Sequence, residues 1–71
     1  MEDVQEIVAR NLRLARQRKG LSQEDLAHQA TIDRTYVSGI ERQQRNPTIL
    51  VLAKLAEVLE TTASALLKAD P

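Results

Sequence analysis

These 71 residues contain no cysteine, no tryptophan and no phenylalanine, and Tyr36 is the single tyrosine. Without cysteine there are no disulfides, thiolate metal sites or thiol nucleophiles, and nothing points to an oxidising compartment. With one aromatic ring, any core must be aliphatic. Only two glycines are present, so there is no glycine-rich phosphate loop, and His28 is the only histidine, so no metal site or other cofactor is expected. The longest apolar run, Ile49-Leu50-Val51-Leu52-Ala53, falls far short of the roughly 20 residues that span a bilayer. The acidic start, Met1-Glu2-Asp3, is not followed by an apolar segment, so no signal peptide is expected and the chain reads as cytoplasmic. The length allows one small domain, residues 1–71, and too little closed interior for an enzyme pocket.

Ten basic and ten acidic side chains cancel over the whole chain, but their order is uneven. Glu2, Asp3 and Glu6 give residues 1–9 a sum of −3. Residues 10–45 carry eight Arg or Lys against Glu24, Asp25, Asp33 and Glu41, a sum of +4, and residues 46–71 return to −1. A polyanion would respond to the field of the basic middle rather than to the zero total.

Hydrophobic spacing predicts five helices and no strands. Val4, Ile7, Val8, Leu12 and Ala15 form one stripe from about residue 3 to 19, with Asp3 as N-cap, Glu6 as its capping-box partner and Gly20 as the stop. Arg10 and Arg13 read as plain surface of this helix. Ser22 to Asp25 has the capping-box form and opens a short second helix that ends near residue 29 or 30, with Leu26, Ala27 and Ala30 buried. Asp33 caps a third helix with Val37 and Ile40 inward and Arg34, Thr35, Ser38 and Arg42 outward. Residues 42–46 form a polar loop closed by Pro47. Thr48 caps a fourth helix with Ile49, Leu52, Leu55, Ala56 and Leu59 inward, and Thr61 or Thr62 restarts a fifth over residues 63–68.

Two short helices joined by three or four residues must meet at a steep angle, which is the helix-turn-helix arrangement. Its second helix can enter the major groove of double-stranded DNA. Arg34 can bind guanine O6 and N7 bidentately, and Thr35 can touch a thymine methyl or a polar base edge. Gln23, at the start of helix 2, can offer its side chain to a phosphate alongside the helix amides. Arg42, Arg45 and Asn46 can hold the backbone on the other side. Tyr36 is expected to reach phosphate or base; the plainer reading packs it half-buried against the loop.

From Leu21-Ser22-Gln23-Glu24-Asp25-Leu26-Ala27 through the run Asp33 to Arg42 and Arg45-Asn46-Pro47-Thr48, the chain resembles the Cro and phage-repressor type of helix-turn-helix domain. The Asp33 to Arg42 run with Arg45-Asn46 is most similar to small controller proteins of restriction–modification systems. The resemblance implies an all-α, five-helix domain and a homodimeric transcription regulator of the bacterial or phage nucleoid. It implies a phosphate contact at Gln23, base-reading positions at Arg34, Thr35, Ser38 and Gly39, and a phosphate clamp at Gln44, Arg45 and Asn46. It also implies a buried structural pair, Arg16 and Glu41. Where the family usually has glycine after helices 2, 3 and 4, this chain has Thr31, Gln43 and Glu60, so either those turns differ or stability is lower. Glycine within helix 3, at Gly39, is unfavourable there by about 1 kcal/mol relative to alanine, and close approach to DNA would justify it.

Apolar residues beyond one inward stripe, Leu50, Val51 and Val58 with Ala65, Leu66 and Leu67, point to a two-fold dimer through helices 4 and 5. The alternative is a central fourth helix buried all round. A second class of function keeps the helix-turn-helix as a scaffold for protein partners, as in an antitoxin. Only four residues follow Leu67, which leaves little room for a toxin-binding segment. Neither a membrane nor a small-molecule ligand is implied.

Overall fold

The computed structural model describes residues 3–69. Glu2 and Asp70, counted in the charge pattern above, lie outside the described residues. Five helices follow one another: α1 Val4–Arg18, α2 Gln23–Ala30, α3 Arg34–Glu41, α4 Ile49–Val58 and α5 Ala63–Leu66. The described residues contain no strand. α3 packs on both α1 and α2, α4 on α2, and α5 closes the other end against α1 and α4.

Each helix begins at a side-chain cap. Ser22 and Asp25 form the expected box, with Ser22 Oγ accepting from the Asp25 amide at 2.9 Å and Asp25 Oδ2 from the Ser22 amide at 3.1 Å. Asp33, Thr48 and Thr62 accept from amides of the first turns of α3, α4 and α5. Asp3 caps α1 through the Gln5 amide at 2.9 Å. The Glu6 carboxylate lies within 4.0 Å of Arg10, an i,i+4 pair along α1.

Four helices end in one way. After α1, the Leu21 amide donates to the Arg16 carbonyl and the Gly20 amide to Gln17. The same pairs recur after α2 (Ile32 to Ala27, Thr31 to His28), α3 (Gln44 to Gly39, Gln43 to Ile40) and α4 (Thr61 to Ala56, Glu60 to Glu57). These are Schellman motifs, which need one left-handed residue each. Gly20 supplies it at φ 70°; Thr31, Gln43 and Glu60 supply it at 58°, 62° and 57° without being glycine. The turns therefore keep their geometry, and the three side chains bear the steric strain of about 1–2 kcal/mol per residue.

The core is one aliphatic cluster in which Leu12, Leu26, Val37, Ile40 and Leu55 are the largest fully buried side chains. One inward expectation and one surface expectation change here. Ile49 is 85% exposed, because the first turn of α4 projects past the core and Leu52 is its first buried residue. Leu66, expected at a dimer surface, is 2% exposed and belongs to the core of its own protomer. The four-residue α5 can bury a single large side chain, and that one is Leu66; Leu67 stays half-exposed. Asn11 ties this short helix down: its amide group donates to the carbonyls of Leu66 and Lys68, both at 2.9 Å. No helix of the described residues is long and apolar enough to cross a membrane.

Candidate nucleic-acid interface

Residues 31–33 turn α2 into α3, and a buried carboxylate fixes α3 in place. Glu41, in the last turn of α3, is 3% exposed. Its oxygens accept from Arg16 Nε at 2.8 Å and Arg16 Nη2 at 3.0 Å, a bidentate pair of the strong kind. Gln23 Nε2 donates to the same carboxylate at 3.0 Å, and Arg13 Nη2 to the Glu41 backbone carbonyl at 3.0 Å. Arg16 also donates to the Leu21 carbonyl at 2.9 Å. Burial pushes the Glu41 carboxyl up, but hydrogen bonds from Arg16 and Gln23 and the charges of Arg16 and Arg13 outweigh it, so the net direction is down. The expected Arg16–Glu41 pair is thus present, as the centre of a four-residue network. Arg13 is more than helix surface, and Gln23 turns its amide donor toward the protein interior.

With Val37, Ile40 and Glu41 facing inward, the opposite side of α3 is free. At roughly 100° per residue, Arg34, Ser38, Arg42 and Thr35 fall within an arc of about 100°. Arg34, Thr35 and Arg42 are exposed and Ser38 is half-exposed. The Thr35 amide and hydroxyl donate to Asp33 Oδ1 at 2.8 and 2.6 Å, which fixes the Thr35 rotamer. Those two bonds, the hydroxyl first, hold the Asp33 carboxyl below its usual range, with a further contribution from Arg45.

Tyr36 is half-buried against the core, as the plainer reading had it, and the Arg45 guanidinium lies over its ring at 5.6 Å from the centroid. That is within cation–π range. Gln44, Arg45 and Asn46 are all exposed on the loop that follows. Gly39 is buried in α3. The loop folds back over it, so that a Cβ built there would meet the Arg45 side chain.

A second surface feature adjoins the loop after α3: an apolar groove that Arg45 and Asn46 also line. Leu50 is 67% exposed, Leu67 46%, Ile49 85% and Val4 56%. Val4, Ile49 and Leu67 line this groove together with Val8, Leu52 and Pro47. Ala65 is exposed, while Val51 and Val58 are partly buried against the core. α4 is therefore not buried all round. Sequence spacing missed Ile49 and Val4, since both were assigned to inward stripes.

Comparison with known proteins bears on the family and the fold. The helix-turn-helix family pattern matches residues 12–66. A hypothetical transcription factor of Neisseria meningitidis serogroup B is 44% identical over 66 residues, 93% of this chain, and the chain spans only 62% of that relative's length. The crystal structure of the restriction–modification controller protein C.AhdI from Aeromonas hydrophila superimposes with a TM-score of 0.84 at 42% identity, covering 87% of this chain and 94% of that one. The controller protein C.Esp1396I, solved as a tetramer on its natural 35 base-pair operator, gives a TM-score of 0.82 at 38% identity over 93% of this chain and 87% of that one.

Proposed function

Since the chain belongs to the helix-turn-helix family, we propose that it is a homodimeric, sequence-specific DNA-binding transcription regulator of the restriction–modification controller kind. One observation carries the reading. α3 is clamped from behind by Glu41 while Arg34, Thr35, Ser38 and Arg42 face outward on one arc. A helix held rigidly on one side and lined on the other with groups suited to base edges and phosphates fits the major groove. Arg34 reads a base, Thr35 and Ser38 contribute edge contacts, and Arg42, Gln44, Arg45 and Asn46 grip the backbone. The α2 N-terminus offers amides to a phosphate, with Gln23 held beside it by Glu41.

Dimerisation runs through the surface of α4 and α5, where Leu50, Leu67 and Ala65 are exposed and Val51 and Val58 lie behind them. Ile49 extends the same apolar surface. Two recognition helices then address half-sites about 34–36 Å apart, one helical turn of DNA. Such a protein works in the cytoplasm, on the nucleoid, and has no catalytic step. Where its operator lies relative to a promoter decides between repression and activation.

Selection of duplexes from a random-sequence library at near-physiological salt tests this. Enrichment of an inverted repeat with one-turn spacing is the expected result. A folded dimer that enriches nothing would show that the motif is a scaffold for protein partners.

A further inference from the structure

Gly39 weakens α3 relative to alanine, and its place in the fold shows what the missing side chain makes room for. A Cβ built on Gly39 would lie 2.5 Å from Cγ of Arg45 and 3.3 Å from its Cβ. The loop cannot simply step away. The Gly39 carbonyl accepts from the amides of Gln44 at 2.7 Å and Arg45 at 3.1 Å, and the turn between them already holds Gln43 in a left-handed conformation. With the Arg45 backbone pinned, a shift of a few tenths of an ångström relieves the 3.3 Å contact but not the 2.5 Å one. Cγ would have to rotate about χ1, and the guanidinium would swing off the Tyr36 ring.

We infer that Gly39 is a positioning residue for Arg45. Its bare Cα lets the Arg45 stem cross α3, so that the guanidinium rests on Tyr36 at the edge of the DNA-facing arc. The alternative, in which glycine lets DNA itself approach the helix, is not needed, because Arg45 already fills the space above Gly39. A charged side chain ordered before binding loses less freedom when it meets its target. The consequence for DNA rests on the proposed function; the seat itself is a property of the free protein.

Four proteins test it: wild type, Gly39→Ala, Arg45→Ala and the double variant, with Tyr36→Leu as the control for the ring. Tyr36 is the only Phe, Tyr or Trp in the chain and its ring lies under the Arg45 guanidinium, so a ring-current shift at the Arg45 methylenes that Tyr36→Leu removes reports this contact in the free protein. Gly39→Ala is expected to abolish that shift while the fold is retained, since alanine favours the helix. Affinity for the selected operator should fall about threefold to tenfold. With Arg45 already alanine, adding Gly39→Ala should change affinity by less than about twofold, as independent effects would not.

Retention of the Arg45 shift in Gly39→Ala overturns the seat. An equal loss of affinity with and without Arg45 overturns the role through Arg45 and restores direct approach of DNA. If the wild type selects no DNA, the role in readout is overturned with the proposed function, and the free-protein shifts still decide the seat.

Discussion

Arg16 and Glu41, 25 residues apart in sequence, meet in a two-bonded ion pair at 2.8 and 3.0 Å that fastens the end of α3 to α1. The pair lies behind the exposed arc of α3 and holds the C-terminal end of that helix in place. Replacing one partner leaves the other as a buried charge, which typically destabilises by about 3–5 kcal/mol. Arg16→Met is expected to lower stability by that order in urea denaturation. A loss under about 1 kcal/mol would mean that Arg13 and Gln23 hold Glu41 without Arg16.

The same carboxylate shapes the acid limb of the stability curve. Its folded pKa lies below the ordinary 4.5. The stabilisation it gives is therefore full above that value and is lost as pH falls through the lower folded pKa. Asp25 and Asp33 are shifted in the same direction, Asp25 chiefly by the Ser22 amide and Asp33 by Thr35. The stability gap between wild type and Glu41→Gln should be constant at neutral pH and shrink as pH drops below 4.5. A gap independent of pH down to acid unfolding would contradict the depressed carboxyl.

Thr31, Gln43 and Glu60 hold left-handed positions that glycine fills without strain. Substituting glycine removes about 1–2 kcal/mol of strain and gives back about 0.5–1 kcal/mol through the freer unfolded chain. Thr31→Gly should raise the melting temperature most, because a β-branched side chain is least tolerant of positive φ. Glu60→Gly should gain least, since Glu60 also bonds to Lys19. Thermal unfolding of the three variants checks the order, and a melting temperature lowered by Thr31→Gly would refute it.

Asn11 fastens α5 through the Leu66 and Lys68 carbonyls. Asn11→Ala should cost about 1–2 kcal/mol and release α5 amides to hydrogen exchange before those of α2 and α3. Because α5 carries part of the proposed dimer surface, sedimentation should show weaker self-association. Unchanged exchange in α5 would show that Leu66 burial alone holds it.

On DNA, Arg34 and Arg42 should separate by kind of effect. Arg34→Ala is expected to reduce discrimination at one base pair by about 1–3 kcal/mol. Arg42→Ala should weaken matched and mismatched sites alike and reduce the log–log salt slope by about 1. A uniform effect from Arg34 would remove it from base readout.

How much was legible in advance depended on the range of the interaction concerned. Caps and stops are local, so Ser22, Asp33, Thr48 and Gly20 marked helix ends that the structure reproduces. The left-handed sites at Thr31, Gln43 and Glu60 were legible as positions through the family resemblance, but not as conformations. The outward arc of α3 follows from helical spacing with Val37 and Ile40 inward. Gln23 was placed correctly on α2, yet nothing local could say that its amide would bond to a carboxylate 18 residues away.

The sequence alone thus determined the five helices, their order, the turn between α2 and α3 and the aliphatic make-up of the core, because these depend on contacts within about one turn of the chain. Tertiary structure decided which apolar side chains near helix ends are covered: Leu66 in, Leu67 and Ile49 out. It also decided that Gly39 faces Arg45. Periodicity tells which residues share a face, whereas coverage of that face depends on where the neighbouring helix stops, and that is set by packing between segments far apart in the chain.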